Sequence, residues 1–152
     1  MNTHEAAFRF PVLAFTPDLE IWGFPDLDRL TRCGPRTLRE NAQDGMELID
    51  ATGRRWRVRS IRRTGRAGSL FSLLWIFGPP QSRIEHDLEH LEAVALADVQ
   101  RRTCAAMEAH AEDYFEGDGQ ASEFEPLLAQ VRRADSITEI YELLQPDTFE
   151  PY

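Results

Sequence analysis

The chain has no lysine; all 17 of its basic residues are arginine. Without lysine there is no G-x-x-x-x-G-K-[ST] loop, and no G-x-G-x-x-G occurs either, so a nucleotide phosphate cradle is not indicated. Cysteine is scarce. Cys33 and Cys104 are the only two, and no C-x-x-C joins them, which excludes a disulfide framework. Both read as reduced, buried, structural thiols of a cytoplasmic protein. Long hydrophobic runs are absent. The most apolar stretch, Leu70 to Phe77 (LFSLLWIF), has eight residues and ends at Gly78-Pro79-Pro80. A bilayer span needs roughly 20, so no membrane partner is expected, and the run reads as a buried strand or a short core helix. The first ten residues, MNTHEAAFRF, lack a basic segment followed by an apolar one, so no secretory signal is expected. Ser60, Ser69, Ser72 and Ser82 lack a G-x-S-x-G setting. Nothing in the sequence calls for a cofactor.

At 152 residues and 42% apolar content, the chain is long enough to bury a core as one domain spanning 1–152. Acids outnumber bases 26 to 17, for a net charge of -9. That balance argues against nucleic-acid binding by the whole surface and fits a soluble protein with a basic partner. The charge is divided along the chain. Residues 1–66 hold twelve arginines and nine acids; residues 67–152 hold five arginines and seventeen acids.

The first half reads as strands. Phe8 to Phe15 and Leu19 to Phe24 flank the turn-forming Thr16-Pro17-Asp18. Pro11 is expected to push the first of them to a sheet edge. Asp26 to Thr31 predicts one or two helical turns, and Pro35 starts a second short helix after Gly34. Asp44-Gly45 opens a hairpin whose alternating arms, Met46 to Asp50 and Arg55 to Arg63, meet at Ala51-Thr52-Gly53. Arg83 to Leu91 reads either as a strand, with Ile84, His86, Leu88 and His90 on one face, or as a helix, with Ile84, Leu88 and Leu91 in one stripe; its alternation and the preceding Pro79-Pro80 favour the strand.

The second half reads as helices. Leu96, Val99, Thr103, Ala106, Met107 and His110 share one face, and Phe124, Leu127, Leu128 and Val131 make a second stripe. Ser136 and Glu139 form a capping box ahead of a third, Ile137, Ile140, Tyr141 and Leu144. Strands first and helices after predict an α+β fold: an antiparallel sheet from the N-terminal half with the C-terminal helices packed on one face.

Three segments carry candidate chemistry. The acidic region holds Glu108, Glu112, Asp113, Glu116, Asp118, Glu123 and Glu125, with Tyr114, Phe115 and Phe124 among them. It reads either as a solvated helix end and loop or as a docking face for a basic partner, with Phe115 as an anchor. Tyr114 falls on the core face if the preceding helix continues. Arg54 to Arg66 (RRWRVRSIRRTGR) holds seven arginines. A basic ribbon can follow phosphates. Here, however, Trp56 and Val58 share a core-like face, while Arg55, Arg57, Arg59 and Arg63 fall with Ile61 on the other. Pairing with acids elsewhere in the chain accounts for that face equally well. His86-Asp87-Leu88-Glu89-His90 matches the H-x-x-E-H pattern of a zinc hydrolase, which requires a helix. On a strand the two histidines stand about 13 Å apart, too far for one metal.

The hairpin MELIDATGRRWRVRSI, the helix LADVQRRTCAAMEAHAEDYFE and the segment ADSITEIYELL together resemble the layout of small bacterial immunity proteins. The resemblance implies a compact, acidic, cytoplasmic α+β protein that is not an enzyme. Such a protein acts by occluding a toxin domain. The Glu108–Glu125 carboxylates are the candidate contacts to a basic toxin such as a nuclease.

Overall fold

The structure is a computed structural model that describes residues 1–67, 81–114 and 121–146. Among the described residues, six antiparallel strands form one sheet in the order β2-β1-β4-β5-β6-β3. They are β1 (Val12–Phe15), β2 (Ile21–Phe24), β3 (Arg32–Cys33), β4 (Glu47–Ile49), β5 (Arg55–Ala67) and β6 (Gln81–Leu91). Three short helices, α1 (Thr3–Ala6), α2 (Leu27–Leu30) and α3 (Pro35–Glu40), belong to the N-terminal half. Three longer ones, α4 (Leu96–Ala109), α5 (Ala121–Arg133) and α6 (Ile137–Leu144), follow the sheet. The chain is therefore α+β, as its strand-then-helix order predicts. The apolar run 70–77 lies outside the described residues.

Local chemistry explains the element ends. Asp26 caps α2 by accepting from the Arg29 amide at 2.8 Å, and Pro35 opens α3. Ser136 caps α6 by accepting from the Glu139 amide. The Glu139 carboxylate reaches back to the amide of Asp135, one residue before the position a capping box uses.

Alternation along the strands divides the core in two. Leu13, Phe15 and Ile49 face α4, α5 and α6 and pack with Val99, Met107, Leu128, Val131 and Ile140. Val12, Ala14, Leu48, Trp56, Val58 and Leu88 face the other way, under Ala6, Phe8 and Leu30. Among the described residues, Trp56 is the largest fully buried side chain. Its ring meets Phe8 edge-on at 4.5 Å, and the Arg54 guanidinium lies 5.2 Å from its centroid.

Two strand expectations are corrected. β1 lies between β2 and β4, not at an edge. It begins at Val12, one residue after Pro11, so the proline removes no ladder hydrogen bond. Ile61 and Arg63 do not fall with Arg55 and Arg57. A register shift between Val58 and Ser60 inserts an extra residue, which returns Ile61 and Arg63 to the Trp56 side, opposite His86 and Ile84.

Candidate functional site

The acidic region is built from the end of α4, a 3-10 turn at Ala111–Tyr114, and α5. His110 fixes the join. Its amide donates to Ala106 O, and its Nε2–H donates to the Asp18 carbonyl in the β1–β2 turn at 2.7 Å. Glu108 lies exposed on the last turn of α4, 3.5 Å from Arg132 of α5. Glu112 is exposed in the 3-10 turn, and Glu123 and Glu125 are exposed on α5. Asp113 lies in the same turn. Phe115, Glu116 and Asp118 fall outside the described residues. Phe124, between two of the acids, is buried in the helical core and is no surface anchor. Among the described residues, Glu112, Glu123 and Glu125 have no ion pair.

The arginines of β5 are engaged differently. Glu47 of β4, 17% exposed, gathers three guanidinium groups: Arg102 of α4 at 2.9 Å, Arg57 at 3.4 Å and Arg55 at 3.5 Å. Burial pushes the Glu47 carboxyl up, but Arg102, Arg55 and Arg57 outweigh it and hold the group below its ordinary value. Arg57 and Arg59 reach Glu89 on β6, and Arg62 pairs with Glu85. The ribbon thus balances much of its charge across the sheet.

The H-x-x-E-H segment lies on β6 as a strand, so its members diverge. His86 is buried, Glu89 turns toward Arg57 and Arg59, and His90 is exposed with its ring 5.5 Å from Trp56. No group of three or more metal-ligating side chains occurs among the described residues. His86 is held from both ring nitrogens, by Thr3 at 3.0 Å and Gln43 at 2.8 Å, and burial lowers it to about 4. Cys33 is wholly buried, which raises its thiol to about 11, and Cys104 is buried and raised in the same direction. A clefted surface of about 440 Å³ lies between α4 and α5, lined by Gln100, Arg101, Cys104, Glu108 and Arg132.

Sequence reasoning missed two centres. One is Glu47, a single acid in a strand. The other is Asp50, whose D-x-T-G-R context is a turn signal that names no partner. Among the described residues, no helix is long and apolar enough to cross a membrane. The chain matches no protein-family model, no curated protein and no solved structure.

Proposed function

We propose that this chain is a non-enzymatic protein-binding domain, most concretely a cytoplasmic immunity protein that occludes a basic toxin domain. One observation carries the reading. The β5 arginines are largely paired within the sheet, whereas Glu112, Glu123 and Glu125 are exposed with no ion pair among the described residues. The molecule's negative charge is thus left outward at the α4–α5 end. Exposed carboxylates of this kind speed encounter with a cationic surface and make it sensitive to salt. The mechanism is steric: the acidic end occupies the cationic groove in which the toxin would hold its substrate. The layout resemblance to immunity proteins agrees with this.

The test uses the protein that co-purifies with the tagged chain from its own cells at low ionic strength. Its expected properties are a basic charge, near-equal stoichiometry and toxicity that co-expression of the chain relieves. The triple variant Glu112→Arg, Glu123→Arg, Glu125→Arg should associate at least about tenfold more slowly and lose most of its salt dependence. Unchanged binding in that variant overturns the docking face, and a partner that is harmless to cells overturns the antidote role.

A further inference from the structure

We infer that Thr3, His86 and Gln43 form an acid-released clasp. It holds residues 1–3 over the outer edge of β6 at neutral pH and lets them go when His86 takes up a second proton. This goes beyond the docking reading and is independent of it.

The edge itself motivates the inference. β3 covers β6 only at Arg83 and Ser82. Beyond that, three amides face outward and each finds a different acceptor. Ile84 donates to Thr31 O at 2.8 Å, His86 to Thr3 Oγ1 at 2.9 Å, and Leu88 to Met1 O at 2.7 Å. The last two acceptors belong to the N-terminal segment, which also forms a bridge from Asn2 to Asp87. An uncovered strand edge invites pairing with another chain, so this cover has a purpose.

The ring has a partner at each nitrogen. Thr3 Oγ1 accepts from the His86 amide and is hydrogen-bonded to Nδ1, and Nε2–H donates to Gln43 Oε1. In the neutral ring Nδ1 accepts from the Thr3 hydroxyl. A second proton would place a full positive charge where His86 is 1% exposed and both of its side-chain partners are neutral.

Among the described residues, no carboxylate pairs with the ring to offset that charge. On β6, Glu85 pairs with Arg62, and Asp87 lies 4.0 Å from the Met1 amino group. On α1, Glu5 accepts from the Asn2 amide and His4 is exposed. Asp44, in the α3–β4 connection, is exposed, and the residue opposite on β5 is Ile61.

The sign follows from linkage. The released ring titrates near the ordinary 6.5, while the clasped ring is held at about 4 by burial. The clasp is therefore at full strength above about pH 6.5. It weakens about tenfold per pH unit as pH falls toward 4, and no further below that.

Amide hydrogen exchange on the full chain, referenced to intrinsic rates at each pH, tests this. Leu88 and His86 should lose protection together, by about tenfold per unit below pH 6.5. Ile84, on the same edge but bonded to Thr31, should not follow. His86→Gln keeps an acceptor and a donor without titrating, and should abolish the pH dependence at Leu88. Should that variant not fold, Thr3→Val replaces it: Leu88 should exchange freely at neutral pH while Ile84 stays protected. Joint loss of protection at Leu88 and Ile84 overturns the clasp. So does an unaltered pH dependence in His86→Gln, or a protected Leu88 in Thr3→Val.

Discussion

The carboxylate of Asp50 is fully buried and holds the Arg54 guanidinium at 2.8 Å across the β4–β5 turn. The same carboxylate accepts from the amides of Arg9, Thr52 and Arg54 and from the Thr52 hydroxyl. Arg54 in turn donates to the Ala6 and Ala7 carbonyls and lies against Trp56. One ion pair therefore ties the turn, the N-terminal segment and Trp56 together. A buried pair that loses one member leaves donors or charge without partners, at a cost of about 3–5 kcal/mol. Asp50→Ala should lower stability in urea unfolding by that amount. Arg54→Ala should cost less, about 1–2 kcal/mol, because its side chain is 37% exposed and water replaces part of what is lost. The double variant should fall short of the sum.

Gly53 completes that turn with φ +87, and a Cβ placed there would stand 2.7 Å from the Val94 carbonyl oxygen. The Val94 amide already donates to Gly53 O at 2.9 Å, so the two segments are held close. Both backbone conformation and space exclude a side chain. Gly53→Ala should destabilise the protein by about 1–3 kcal/mol, read as a lower urea midpoint with an unchanged slope.

Leu19 gives the opposite expectation. It sits in the left-handed region, φ +64, with 46% of its surface exposed. The turn that holds it is closed by its amide to Thr16 O and by the Thr16 amide to Glu20 O. A leucine gains little there from packing and carries the steric cost of that conformation, about 1–2 kcal/mol. Leu19→Asn should raise thermal stability, since asparagine tolerates this conformation. A drop in the melting temperature would show that the leucine side chain matters to the fold.

What was readable in the sequence depended on distance along the chain. Ser136 with Glu139, Asp26 before Leu27 and Asp44-Gly45 before β4 act within a few residues, so their elements appear where their chemistry places them. The face of Ile61 did not, because a bulge breaks the alternation from which a face is inferred. The partners of His86, Thr3 and Gln43, come from segments far away in sequence, and nothing local names them. For the candidate site, composition located the acids. The exposure of Glu112, Glu123 and Glu125, and the pairing of Glu108 with Arg132, depend on how α4 and α5 pack.

Glu47 provides a second pH-dependent test, in a different window from the clasp. Its carboxyl is held below its ordinary value of 4.5 because Arg102, Arg55 and Arg57 outweigh its burial. A group depressed in the folded state contributes stability above its unfolded value and loses it as pH falls through the folded one. Glu47→Gln removes the charge that three guanidinium groups share. At neutral pH it should cost about 1.5–3 kcal/mol, the range for hydrogen bonds to charged groups. The gap between the wild-type chain and the variant should stay constant down to about pH 4.5 and close below it, because the wild-type carboxyl is then protonated too. Urea unfolding of both proteins across that range decides the matter. A gap that persists in acid would mean that Glu47 acts through packing, and not through its charge.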